Sequence, residues 1–162
     1  MRFEREYFLR DALEVGPEIL GHYLVREINS RIIKTMITEV EAYVGPDDKG
    51  AHTYKNKRTA RTEPMFSEGG HAYVYLIYGM YNCINIVCQQ EGKPEALLLR
   101  AVERLNEFDI LFNNRSPVKN IHNLSNGPGK LCSALGIDRT FSGYDLIKGK
   151  ELYLERNKNR GD

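Results

Sequence analysis

Apolar and polar positions along this chain recur with two different periods, and the changes of period divide it into elements. Residues 4–21 place apolar side chains at helical spacing (Phe8, Leu9, Ala12, Leu13), with Asp11 and Glu14 three apart as in a capping box. Gly16-Pro17 is expected to interrupt this helix before a short turn that runs to Gly21. Residues 22–29 and 31–43 read as two strands joined by a tight turn near Ser30. Residues 44–70 lose periodicity and fill with Gly, Pro, Asp and Lys. An irregular stretch of that length inside a compact domain is uncommon and usually functional.

The most strand-like run follows at 71–90, aromatic and β-branched, with Gly79 as the bend between two strands. Residues 95–103 continue as a buried strand, and a helix is expected over about 105–113. After a polar loop, Gly127-Pro128-Gly129-Lys130 opens a second helix, and 151–155 is a last strand. Hairpins with peripheral helices predict an α+β fold, one domain over 1–162 built on a curved, largely antiparallel sheet.

Composition agrees with a globular domain: 162 residues, 41% hydrophobic and 28% charged. No apolar run approaches the roughly 20 residues of a membrane span, so no membrane partner is expected. The N-terminus carries acids where an exported chain has an apolar leader. Lys plus Arg total 23 against 22 acids, so a polyanion site must come from local clustering. Cys83, Cys88 and Cys132 form no CxxC pair and suit buried thiols in a reducing compartment.

Glu39 and Glu41 sit two apart on a strand, with Ile37 and Tyr43 on the same expected face. A carboxylate among apolar and aromatic neighbours has a raised pKa and suits general-base work; a solvated strand face is the plainer reading. Paired carboxylates also suggest a glycoside hydrolase, but two on one strand do not flank a sugar bond. Lys55, Lys57, Arg58 and Arg61 crowd one loop, either for phosphates or simply in solvent. Tyr73, Tyr75, Tyr78 and Tyr81 surround one bend, as core pairs or as a base-stacking wedge. His52, His71 and His122 match no metal-ligand spacing, so no metal is expected. Lys130 opens a helix where an anion is favoured, without the spacing of a P-loop.

The blocks TEVEAYVGPDDKGAH (38–52), TARTEPMF (59–66), YVYLIYGMYNCINIV (73–87), ALLLRAVE (96–103) and GPGKLCSALGI (127–137) strongly resemble the alkyladenine (3-methyladenine) DNA glycosylase family. The resemblance implies a monofunctional base-excision enzyme without metal or organic cofactor. It would act as a monomer on duplex DNA containing damaged purines, in the bacterial cytoplasm or nucleoid or the eukaryotic nucleus. Glu41 matches the general base that activates a water, and Arg100 the arginine that holds that water near a phosphate. Tyr43, His52 and Tyr75 match aromatic walls around a flipped base, and Asn85 a pocket residue that crowds the exocyclic amine of guanine. Tyr78 matches the side chain that fills the gap in the duplex, with Met80 and Tyr81 beside it. Thr59, Arg61 and Lys130 fall where the family contacts the DNA backbone.

The substrates implied are 3-methyladenine, ethenoadenine and hypoxanthine. The chain departs from the pattern at Arg104, at Gly16-Pro17, at Ala96 and at its end, where the family continues past the last strand. A pocket left open on one side is therefore expected, and a lesion-binding module of impaired activity is the alternative function.

Overall fold

Turn residues decide where the chain doubles back, and the hairpins they make add up to one sheet. The computed structural model describes residues 1–45, 58–106 and 126–160. Asn29 and Ser30 take φ values of 50° and 68°, the left-handed pair of a two-residue turn whose twist matches its strands. They join β1 (Tyr23–Ile28) to β2 (Arg31–Tyr43). Tyr78 and Gly79 repeat the device at 52° and 65°, and the Met80 amide donates to the Ile77 carbonyl at 3.0 Å. They join β3 (Ala72–Ile77) to β4 (Tyr81–Cys88). With β5 (Glu95–Arg104) and β6 (Leu152–Glu155) the order is β3-β4-β5-β2-β1-β6, every pairing antiparallel. The α+β expectation stands.

Two helices, α1 (Ala12–Ile19) and α2 (Pro128–Leu135), cover one face of the sheet. Val15, Ile19, Leu131 and Leu135 join Ile33, Ile37, Ile84, Ile86, Leu97 and Leu99 in a single apolar cluster. Cys88 and Cys132 lie in it, and Cys83 is buried beneath the other face; all three thiols are free. Among the described residues no helix is long and apolar enough to cross a membrane.

Two expectations about α1 are corrected. Gly16-Pro17 does not interrupt the helix, which runs through Pro17 to Ile19. The proline forfeits one bond close to the helix end, while Gly16 permits close packing: a Cβ there would sit 3.3 Å from Leu97 Cδ2. Nor do Asp11 and Glu14 form a capping box. The Asp11 carboxylate accepts from the Gln89 amide instead, and the Ala12 N–H donates to Glu95 Oε1 at 2.9 Å. The cap comes from β5, far away in sequence. Leu105 and Asn106 bond to Lys34 and Ile32 beside β2 rather than starting a helix; the remainder of that expected helix lies outside the described residues.

Strand β2 changes face halfway along. Ile33, Thr35 and Ile37 are buried on the helix side, and beyond them Val40 and Ala42 pack against that same core. The ladder with β5 slips between Ile37 and Val40, leaving Thr38 and Arg100 without opposite numbers. An extra residue in a strand inverts its alternation. Glu39, Glu41 and Tyr43 therefore occupy the face opposite Ile37, not the shared face expected from unbroken alternation.

Candidate functional site

Register alone assembles a row of side chains across four strands. Glu41 lies opposite Leu98, Leu98 opposite Asn85, and Asn85 opposite Tyr73. Residues directly opposite share a face, and a step of two along a strand keeps it. Tyr43, Tyr75, Cys83 and Arg100 thus join the row on the side away from the helices.

Glu41 is held at both oxygens. Arg100 Nη1 donates to Oε2 at 2.9 Å, and the Tyr43 hydroxyl donates to Oε1. Arg100 also reaches Glu39, with Nε 3.4 Å from Oε1. The Glu41 side chain is 42% exposed, so it is not desolvated among apolar neighbours as the strand pattern suggested. Each carboxylate oxygen has two lone-pair directions, and a water can still donate to Glu41 beside its two partners.

The aromatic part of the row is drier. Tyr73 and Tyr75 have ring centroids 5.5 Å apart at 38°. They pack with Met65, Phe66, Val87 and Ala96 in a second apolar cluster. Met65 and Phe66 come from a 3₁₀ turn, Glu63–Phe66, laid over this face. Burial pushes the Tyr75 hydroxyl well above the usual phenol range and raises that of Tyr73; both rings stay neutral at physiological pH. Asn85 is buried beneath them and donates Nδ2 to the Tyr73 carbonyl at 3.2 Å.

At the open end of the row stands the β3–β4 turn. Tyr78 is 87% exposed, Met80 68% and Tyr81 47%. Lys130, at the start of α2, shares a cleft with Met80, Tyr81, Asn82 and Ser133. The helix meets the hairpin through Gly129, where a Cβ would lie 2.9 Å from Tyr81 Cβ.

The basic loop is only partly available. Arg58 is forked onto Glu63 at 2.8 and 2.6 Å and stacks over Phe66. Thr59 is tied into a turn, its amide donating to Thr62 Oγ1 at 2.8 Å. Arg61 places its guanidinium 5.8 Å from the Tyr75 ring centroid, which brings it to the aromatic pocket. His52, Lys55, Lys57 and His122 lie outside the described residues. His71 is bonded to the Glu68 carbonyl at 2.8 Å in a turn, and no group of three metal-ligating side chains occurs among the described residues.

The structure therefore gathers Glu41, Arg100, Tyr43, Tyr75 and Asn85 in one row, with Tyr78, Met80, Tyr81 and Lys130 at its rim. Two neighbours are not among the site residues that the resemblance implies. Cys83 pairs with Tyr75 across the hairpin, and its spacing of two from Asn85 is the signal that places it. Glu39 is visible as an acid, but nothing local marks its contact with Arg100.

The methylpurine-DNA glycosylase family matches residues 6–162. A protein of Natranaerobius thermophilus named as a candidate 3-methyladenine DNA glycosylase is 44% identical over 155 residues, 95% of this chain and 78% of its own length. One of Clostridium acetobutylicum with the same name is 46% identical over 167 residues, 98% of this chain and 80% of its own. One of the archaeon Methanocella arvoryzae is 44% identical over 151 residues, 93% and 75%. A match of this extent, on a sheet face that carries the family's blocks side by side, places the chain in the methylpurine-DNA glycosylase family.

Proposed function

We propose that the protein is a monofunctional DNA glycosylase that hydrolyses the N-glycosidic bond of methylated or deaminated purines in duplex DNA, acting as a monomer. The observation that carries the reading is Glu41, a carboxylate gripped by Arg100 and Tyr43 on the same sheet face as Tyr75 and Asn85.

Excision needs a damaged nucleotide turned out of the stack, which costs a few kcal/mol and least for damaged bases. Tyr78 at the exposed turn enters the gap, while Tyr75 and Tyr43 line the pocket. A base stacked on an aromatic ring recovers about 1–3 kcal/mol. Purines such as 3-methyladenine carry positive charge, and neutral tyrosine faces attract cations. Asn85 at the pocket floor disfavours the exocyclic amine of undamaged guanine. Lys130 and Arg61 neutralise phosphates of the DNA backbone, which makes affinity fall with salt, and Thr59 contacts that backbone as a neutral group.

Glu41 takes the proton of a water as its oxygen attacks C1′, the glycosidic electrons leave with the base, and an abasic site remains. Fixed charges aimed at the developing sugar cation and a positioned water supply the acceleration. Arg100 orients the water and an adjoining phosphate. The substrates are 3-methyladenine, ethenoadenine and hypoxanthine.

Single-turnover release of hypoxanthine or ethenoadenine from a duplex, by the parent and by Glu41→Gln, tests the reading. Release by the parent, lost in the variant, is expected. Tight binding of the lesion with no release by either would make the chain a lesion-binding module.

A further inference from the structure

We infer that Glu39 is a positioning residue for the excision reaction, acting through Arg100 from the side opposite Glu41. The inference rests on the glycosylase reading above. A guanidinium has donors in a fixed plane, and a single monodentate contact leaves that plane free to rotate. Here two carboxylates hold it: Glu41 Oε2 lies 2.9 Å from Nη1 and Glu39 Oε1 lies 3.4 Å from Nε. Among the described residues Nη2 has no partner, and it is the donor left for a water or a phosphate oxygen.

The backbone explains why the clamp exists. Thr38 and Arg100 are the residues left without partners where the β2–β5 ladder slips. The slip on β2 turns Glu39 away from the core and onto the face of Glu41. The extra residue on β5 sets Arg100 level with the gap between the two carboxylates. In a regular ladder Glu39 and Glu41 would share the side of Ile37, whose side chain is fully buried, and no arginine could reach both. Strand irregularities of this kind occur next to active sites, where they re-aim a side chain.

The Glu39 side chain is 60% exposed and Arg100 40%, so the pair adds little to folding. Its effect is on geometry. With Glu39 removed, Arg100 swings about its one remaining contact and its free donors lose their fixed direction. Among the described residues the charged groups in contact here are Glu39 and Glu41 from β2 and Arg100 from β5, with the hydroxyl of Tyr43 beside them.

Four proteins test the inference in single-turnover excision of ethenoadenine: parent, Glu39→Gln, Arg100→Gln and the double variant. Glu39→Gln is expected to slow the chemical step about two- to fivefold, the worth of a lost charged contact at an exposed site. The protein concentration for half-saturation and the melting temperature should not move. In the Arg100→Gln background the same change should have no further effect, since a residue acting through another is silent once that other is gone. A full effect of Glu39→Gln in both backgrounds would overturn the inference, as would no effect in either. If Arg100→Gln itself leaves excision unchanged, the glycosylase role of Arg100 fails, a result separate from failure of the Glu39 step.

Discussion

Arg100 Nη1 lies 2.9 Å from Oε2 of Glu41 across 59 residues of sequence. β5 and β2 are neighbours in the sheet although two strands, β3 and β4, separate them in the chain. The pair is thus a product of strand order, and it places the proposed base and its cationic partner on a rigid element rather than on a loop. Sites on strands hold their geometry to within fractions of an ångström more readily than sites on loops.

Tyr43 reaches Glu41 from the same strand, donating its hydroxyl to Oε1. Tyr43→Phe keeps the ring that lines the pocket and removes only this donor. A hydrogen bond to a charged group contributes about 1.5–3 kcal/mol, so excision in single turnover should slow by about 10- to 100-fold. Lesion binding measured at equilibrium should hold. Equal loss of binding and rate would show that Tyr43 acts through the base rather than through Glu41.

Tyr78 sits at φ 52° with Gly79 at 65° behind it. An aromatic residue in the left-handed region costs about 1–3 kcal/mol, whereas Asn-Gly is the favoured pair for this turn. Tyr78→Asn should therefore raise the midpoint of urea denaturation while weakening ethenoadenine extrusion, read from the fluorescence of a lesion-containing duplex. A variant that is less stable would show that the exposed ring contributes packing. An unchanged fluorescence response would remove Tyr78 as the wedge.

Asp145 anchors the N-terminal segment through Arg5, Nη2 to Oδ2 at 2.6 Å. Burial pushes its carboxyl upward, but bonds from Arg5 and from the amides of Ile147 and Lys148 outweigh it and hold the group below its ordinary value. A depressed carboxyl stabilises the fold above its unfolded value of about 3.9 and loses that contribution as pH falls through the lower folded value. Asp145→Asn should cost about 1–3 kcal/mol at neutral pH, and the difference between parent and variant in denaturation should shrink as pH falls below about 3.9 and through the lower folded value. A cost independent of pH would mean that shape, not charge, is what Asp145 supplies.

Much of the fold is written locally. The strands at 22–29 and 31–43, the Asn29-Ser30 turn and the aromatic hairpin around Gly79 are set by side-chain period and turn chemistry, and the structure contains them. The cap of α1 is different. Asp11 has the right spacing to Glu14, yet Glu95 on β5 supplies the acceptor for Ala12. A cap depends on which oxygen is nearest in space, and spacing along the chain does not record that.

The basic loop shows the same dependence on space. Arg58 looks free for phosphate in a one-dimensional charge count, and Glu63, five residues on, already holds it with both oxygens. Two arginines of one loop thus part company, Arg58 to an ion pair and Arg61 to the face of Tyr75.

By itself the sequence determined the strands and the aromatic turn, because these follow from period and residue type, and its resemblance to a family supplied the inventory of the proposed site. Only the tertiary structure decided on which face that inventory lies. The slip of the β2–β5 ladder between Ile37 and Val40 turns Glu39, Glu41 and Tyr43 away from the core. No residue type announces the slip: it is set by how two strands far apart in the chain settle their registers so that each side of it buries its own apolar side chains.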